Sequence, residues 1–486
     1  MQFTDIEPFL SQFPQVPVVV SIPLAEFNPA PILAAERADG HSSLLLHGGD
    51  TSGNSRYTYL TVGAAARYEL NGHSLETITA DGDQITNDID PNAFFANLLA
   101  ENRIPKLVLD LPPFLGGLAG YFAYEYARNA HPQLPAHPAQ AGELPDAFLI
   151  DARQVLAYDR QGQRAYLSQM VPAATLTADK FAAQVAGLTK QLQDLLQHTA
   201  TPTPFTLTEA LQPDYTPEQF ADRVAATRKH IYAGDIFQLI LANPQRGKMR
   251  GSLLGALPHV FAANQTPYQF YLGSGKREVL AASPELLVSR NGDELATFPL
   301  AGTRRRGKTP AEDKALAEEL THSKKELAEH NMLIDLGRND LGAISQVGSV
   351  KLGRVRQLLY FTSVMHMGST VTSLARPDVT ALDIVDALLP AGTLAGAPKL
   401  SAMQIISELE DRRRGVYGGT FGYLGYDGDL ELAIGIRLAQ RNGKEVALHA
   451  GAGIVADSVA KHEYQEFNNK IRGVKDALLA ASEVQA

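Results

Sequence analysis

At 486 residues with a formal net charge of −10, the chain is long enough for more than one hydrophobic core and too acidic to hold nucleic acid through a general positive surface. It contains no cysteine, which excludes disulfides, thiolate metal sites and a cysteine nucleophile, and it also lacks tryptophan. No apolar run reaches the roughly 18–20 residues of a membrane span, and the opening MQFTDIEPFLSQF has neither the basic start nor the apolar core of a signal peptide, so a cytoplasmic address is expected.

The first 200 residues read as strands and turns rich in Gly, Pro and Asn. Within them PPFLGGLAGYFAYEYAR (112–128) is apolar, aromatic and punctuated by glycine, which suits a buried strand with close backbone approaches. Residues 178–197 have helical periodicity. The Thr- and Pro-rich stretch 198–220 reads as a connector or an edge segment. Beyond 214 the texture is regular. Thr216-Pro217-Glu218 signals a helix start, and Gly234 its end. IFQLILANPQR (236–246), REVLAASPELLVSR and ELATFPLAGT each read as a strand. A long helix is expected over 310–331, strands around 349–372, and helices at TALDIVDALL and SAMQIISELE. GGTFGYLGYDG, LELAIGIRLAQRNG and EVALHAGAGIVAD read as a run of antiparallel strands, followed by a terminal helix over 461–482. Strands in hairpin clusters with helices between them predict an α+β fold with large antiparallel sheets.

Several groups could carry chemistry. Glu326 and Glu329 lie three apart on an expected helix, and Glu463 and Glu466 repeat the spacing with Lys470 four further on. Such pairs share a helix face. They could suit a hard cation such as Mg²⁺, but on spacing alone acidic pairs on helices are more often a solvated face bonded to nearby lysines. GAGIVA (451–456) imitates a dinucleotide fingerprint but lies too near the end of the chain for the second half of a βαβ unit. Its glycines suit backbone N–H groups approaching an anion, or a tight turn. PAGTLAGAPK (390–399) could bind a carboxylate through N–H groups and Lys399, although it lacks the GK[ST] of a phosphate loop. The histidines are scattered, so zinc is not expected. His366 in SVMHMGS reads by itself as a core histidine.

FPLAGTRRRG, KELAEHNMLIDLGRNDLG, MHMGSTV, PAGTLAGAPKLSAM, RRGVYGGTFGYLGYDG, AIGIR, AGAGIVADS and EYQEFNNKIR stand here in the order found in chorismate-utilising enzymes. The pattern looks most like the large subunit of anthranilate synthase. It is dense from 214 to the C-terminus and continues more loosely through FLGGLAGYFAYEYAR and SRYTYL. The resemblance implies antiparallel sheets forming a sandwich flanked by helices. It also implies an N-terminal region (1–200) on the regulatory and partner side, a connector (198–220) and a catalytic region (214–486).

The resemblance further implies a reaction. Ammonia adds to C2 of chorismate, the 4-hydroxyl leaves, and pyruvate is eliminated to give anthranilate, which opens tryptophan biosynthesis. Arg437 and Lys470 would hold carboxylates, Gly451, Ala452 and Gly453 would offer backbone N–H groups, and Gly302, Thr303 and Tyr417 would complete the pocket. Thr393 would line it near the departing groups. Glu329 and Glu466 resemble the family's Mg²⁺ ligands, with Glu326 and Glu463 adjacent. Glu285 in AASPELL matches the general acid for the departing hydroxyl, and His366 the histidine of pyruvate loss. Family members that use water need a lysine base where this chain has Gln238, and many that make 4-amino-4-deoxychorismate carry a lysine where it has Ala301. Both departures point to direct amination. With no cysteine, the ammonia is expected from a separate glutamine amidotransferase subunit in a hetero-oligomer. The family's tryptophan-binding LLES motif is LLLH here (Leu44 to His47), and its NPSPYM is NQTPYQ (Asn264 to Gln269), which puts inhibition by tryptophan in doubt. The alternatives are an aminodeoxychorismate synthase component and a binding protein on the same fold that does not catalyse.

Overall fold

A computed structural model of the chain describes residues 1–48, 56–63, 66–135, 137, 143–360 and 364–483, the side chains of Thr303 and Glu483 excepted. The architecture is α+β, as expected. Among the described residues two antiparallel sheets of eleven strands each form a sandwich, and two three-stranded sheets stand beside them. Both large sheets draw strands from before and after the 198–220 stretch. Ser43–His47 pairs with Tyr268–Ser274 in the first, and Gly117–Phe122 with Thr420–Gly425 in the second. Thr206–Pro213, inside the Thr- and Pro-rich stretch, is an edge strand of the first sheet.

Period-two side chains build the core between the sheets. Leu44, Phe270 and Val279 from the first sheet meet Tyr121, Phe148 and Phe421 from the second. Phe270 stacks on Phe421 with ring centroids 4.6 Å apart. The glycine-rich strand at 117–122 is as close-packed as its sequence suggests. A methyl on Gly120 would lie 1.9 Å from the Phe148 carbonyl oxygen, so only glycine fits there.

Helix boundaries follow the capping chemistry. Thr216 and Gln219 form a reciprocal capping box, and Gly234 closes that helix at φ 87°. The expected helix over 310–331 is instead two, Pro310–His322 and Lys324–Ile344. Ser323 is extended and its hydroxyl accepts the Glu326 N–H, so it ends one helix and starts the next. Among the described residues no helix is long and apolar enough to cross a membrane.

Three of the expected strands are each divided at a proline. IFQLILANPQR becomes Gln238–Ala242 and Gln245–Arg250, broken around Pro244. REVLAASPELLVSR becomes Arg277–Ser283 and Leu286–Asn291, broken around Pro284. ELATFPLAGT becomes Glu294–Thr297 and Leu300–Arg305, broken around Pro299. Proline cannot donate to a ladder, and at each break the chain leaves one sheet for another. Other switches among the described residues lack proline, two of them among the strands that carry the candidate site. Leu430–Ile434 passes to Leu438–Asn442 through Arg437, at φ 52°, and Glu445–His449 passes to Gly451–Ile454 at Ala450.

Candidate active site

The site residues gather where strands change sheets. Glu285 follows Pro284. Its backbone is held by Ser283 Oγ, which accepts the Glu285 N–H, and by the Ile434 N–H, which donates to the Glu285 carbonyl. Its side chain is buried, and among the described residues only the Leu300 N–H bonds to it, 3.5 Å from Oε1. Burial therefore pushes the carboxyl up to about 8. At neutral pH this group is a proton donor.

Past Pro299, Leu300–Arg305 pairs with Val364–Gly368, setting Thr303 opposite His366. The Thr303 side chain lies outside the described residues. Gly302 has φ 63°, and a methyl there would lie 2.6 Å from Leu320 and 3.0 Å from Glu326 Oε2. His366 Nδ1 is 3.2 Å from the Gly302 carbonyl, which must accept, so Nδ1 carries the hydrogen and Nε2 is the basic nitrogen. Burial, aided by the charge of Arg437, pulls this imidazole down to about 4, so it is neutral at working pH. Ala301 sits buried in the same strand with nothing nucleophilic to offer.

Arg437, in the left-handed turn between the two large sheets, donates to the Lys470 carbonyl at 2.6 Å. Among the described residues it has no carboxylate partner, and burial pulls its guanidinium below the usual arginine range. An unneutralised, partly buried arginine is a ready anion site. Tyr417, buried beside it, has its phenol pushed well up by burial and stays protonated. A methyl on Gly451 would lie 2.8 Å from the Tyr417 hydroxyl, and one on Gly453 2.6 Å from Gln238 Nε2.

Gly451–Ile454 is an edge strand of a three-stranded sheet beside Gln238–Ala242. Its ladder corrects one expectation. The Asn243 N–H bonds to the Ala450 carbonyl, so by antiparallel alternation Ala452 faces Leu241 as a bonded pair. The N–H groups on the open edge belong to Gly451 and Gly453, and that of Ala452 is used within the sheet. Lys470 lies along this edge, donating to the Gly451 carbonyl at 3.1 Å and paired with Glu466 at 2.7 Å.

The four glutamates come from two helices, Lys324–Ile344 and Ala460–Glu483. Burial raises the Glu329 carboxyl, and repulsion from Glu326 and Glu466 raises it further against the pull of Lys470. Glu463 is raised by burial and by Glu466. Among the described residues no three acidic or histidine groups are arranged to hold an ion as the side chains stand. Glu326 is turned to Arg304 at 3.0 Å and Glu466 to Lys470. The donor chemistry nevertheless fits a hard divalent cation, because the mutual repulsion at Glu329 is what such an ion relieves.

Thr393 lies in the loop between Ala381–Leu388 and Lys399–Leu409, and its buried Oγ1 has no hydrogen-bond partner among the described residues. A buried hydroxyl left unsatisfied has a hydrogen bond to offer a ligand. Lys399 is not available to a ligand. It bonds to Asp340 at 2.9 Å and reaches the Ala387 and Leu388 carbonyls. The RRR run is likewise structural. Arg304 bridges Glu319 and Glu326, Arg305 pairs with Glu312, and Arg306 pairs with Asp313 at 2.7 Å. Sequence reasoning passed over Arg414, although the i,i+4 spacing from Glu410 was readable.

A family model described as chorismate binding enzyme matches residues 50–476. The chain belongs to that family. The anthranilate synthase component 1 of Streptomyces coelicolor is 38% identical over 86% of this chain and 82% of its own length. The aminodeoxychorismate synthase component 1 of Bacillus subtilis is 36% identical over 77% of this chain and 79% of its own. The crystal structure of anthranilate synthase component I from Streptococcus pneumoniae superposes with a TM-score of 0.74 at 30% identity, covering 86% of this chain and 92% of that one.

Proposed function

We propose that this chorismate-binding enzyme converts chorismate and ammonia to anthranilate and pyruvate. The observation that carries the reading is an unneutralised Arg437 and a neutral Glu285 on adjacent segments, joined by the bonds of the Ala282 N–H to the Arg437 carbonyl and of the Ile434 N–H to the Glu285 carbonyl. The substrate has two carboxylates and a poor leaving group, so it needs both a cationic anchor and an acid. Arg437 and Lys470 would grip the carboxylates, with Gly451 and Gly453 adding N–H donors. Ammonia attacks C2 past Gln238, where no base is required because ammonia brings its own lone pair. As the C–N bond forms, the bond from C4 to its hydroxyl breaks, and Glu285 supplies the proton that lets it leave as water. Loss of the C2 proton to His366 Nε2 as base would then expel the enolpyruvyl group, which leaves as pyruvate once protonated. Glu329 and Glu466, with Glu326 and Glu463 beside them, would hold Mg²⁺, which supplies positive charge against the ring carboxylate.

Turnover of chorismate with Mg²⁺ and ammonium, read by product mass, tests the reading. Anthranilate is the expected mass. The Bacillus subtilis relative supports a second reading, release of 4-amino-4-deoxychorismate, and the same measurement distinguishes it. A chain that binds chorismate without consuming it would be a binding protein on this fold.

The ammonia would come from a separate glutaminase subunit, since this chain has no cysteine nucleophile. The purified chain alone is expected to turn over with ammonium and not with glutamine, measured by the same product assay. Glutamine-dependent turnover by the single chain would show a second amide-hydrolysing route in it.

Tryptophan is expected not to inhibit. His47 Nδ1 shares a hydrogen with Thr58 Oγ1 at 2.7 Å, the ring stacks on Phe261, and burial pulls the imidazole down to about 4. The neighbouring cavity, about 230 Å³, is bounded by His47, Gln269 and Glu431 among others. Burial pushes the Glu431 carboxyl up to about 7, leaving an incoming ammonium a half-neutral partner. Calorimetric titration should show affinity no tighter than about millimolar, and micromolar binding would mean that Glu431 replaces the missing LLES acid.

A further inference from the structure

We propose that Arg414 is a positioning residue for the amination step, fixing the distance between the loop of Thr393 and the strand of Gln238. The inference rests on the reading of this pocket as a chorismate amination site. Arg414 is 3% exposed and touches no anchor of the substrate carboxylates. One of its terminal nitrogens donates to the Leu394 carbonyl at 2.6 Å, and the other to the Ile240 carbonyl at 2.7 Å. Leu394 directly follows Thr393, whose hydroxyl has no partner among the described residues. Ile240 lies opposite Gly453 and two residues from Gln238. One rigid guanidinium plane therefore spans the two walls between which ammonia must meet C2.

The plane itself is aimed from several sides. Glu410 accepts from Nε at 2.8 Å and from a terminal nitrogen at 2.6 Å, and its Oε1 also accepts the Ala242 N–H. The guanidinium lies 4.7 Å from the Tyr124 ring centre and 5.8 Å from that of Tyr417. Glu125 accepts the Arg414 and Gly415 N–H groups, and the Gln440 amide bonds to the Arg414 carbonyl and the Val416 N–H. An ammonium on a flexible stem cannot reproduce a planar fork aimed at separate acceptors. Arg414→Lys thus keeps the charge and loses the spacing.

The experiment is steady-state kinetics of Arg414→Lys in the full chain, with ammonium and chorismate varied separately and thermal melting run alongside. The expected result is a fall of about 10²-fold in kcat/KM for ammonium, the scale of a misplaced reacting group. The KM for ammonium should rise, while that for chorismate stays within about threefold of wild type. Neither KM depends on how much of the protein is folded, so loss of stability alone cannot imitate the split. Unchanged ammonium kinetics, or a chorismate KM that rises in step, overturns the proposal. Should Arg414→Lys fail to fold, Glu410→Gln carries the test. It keeps the side chain's shape while removing the charge that aims the guanidinium, and a smaller split, about tenfold, is expected. Wild-type kinetics in Glu410→Gln would again overturn it. A wild-type chain that aminates no chorismate sinks the site reading itself, which is a different outcome from wild-type activity with an indifferent Arg414.

Discussion

Glu285→Gln is expected to lower kcat by about 10³-fold while leaving chorismate binding nearly intact, because the loss is that of a general acid. Glutamine matches the carboxylic acid in size and can still occupy the pocket beside the Leu300 N–H, but it has no proton to give. Steady-state kinetics on the folded variant check this, and a kcat within tenfold of wild type would remove Glu285 from the mechanism. The same carboxyl sets the alkaline limb of the pH profile. Burial holds it protonated up to about pH 8, so activity should fall as pH rises through that value and the acid ionises.

A stability effect follows with a definite sign. Unfolded, the carboxyl ionises near the ordinary glutamate value, about 4.3. Folded, it keeps its proton until about 8. Between those values the native state binds more protons than the unfolded state, so the group's contribution to stability declines as pH rises and levels off above about 8. Glu285→Gln is free of that decline. Its Tm should match wild type at pH 4 and exceed it at pH 8, so the variant should be the more stable and the less active protein.

Arg437→Gln should lower kcat/KM for chorismate by about 10²- to 10³-fold, the consequence of removing one side of a desolvated charge pair worth about 2–5 kcal/mol. Most of the loss should appear as a raised KM, because the grip on a spectator carboxylate is present before and during reaction. Arg437→Lys should recover only part of it, since the bidentate fork is lost. Equal KM values for wild type and Arg437→Gln would place the carboxylate elsewhere. The backbone need not change, as φ 52° is equally strained for arginine, lysine and glutamine.

The α+β class, the helix starts at Thr216 and Thr380 and the glycine-packed strand at 117–122 were legible because each rests on local chemistry: a capping hydroxyl, a period of two, a residue without Cβ. Ser323 was legible in the same terms and still missed, because the periodicity of 310–331 runs through it. The site residues were found through ordered motifs rather than through periodicity. Glu285, His366 and Thr393 are ordinary residues in local context, and what distinguishes them is the burial of the carboxyl, the imidazole and the hydroxyl among segments distant in the chain, which no window of sequence contains. Arg414 was invisible as a fork because its acceptors, the Leu394 and Ile240 carbonyls, are 20 and 174 residues away.

By itself the sequence determined the absences and the local grammar. With no cysteine there is no thiol chemistry, and Ala301 and Gln238 bring no lysine amine to their positions, because a missing functional group stays missing in any fold. Only the tertiary structure decided where the remaining groups meet and in which protonation state. Pro244, Pro284 and Pro299 end ladders they cannot donate to, and the chain crosses from sheet to sheet at those points and beside Arg437 and Ala450. Those crossings bring Glu285, Gly302, Arg437 and Gly451 to one place. There, exclusion of water makes a glutamate an acid, a histidine neutral and an arginine receptive to an anion.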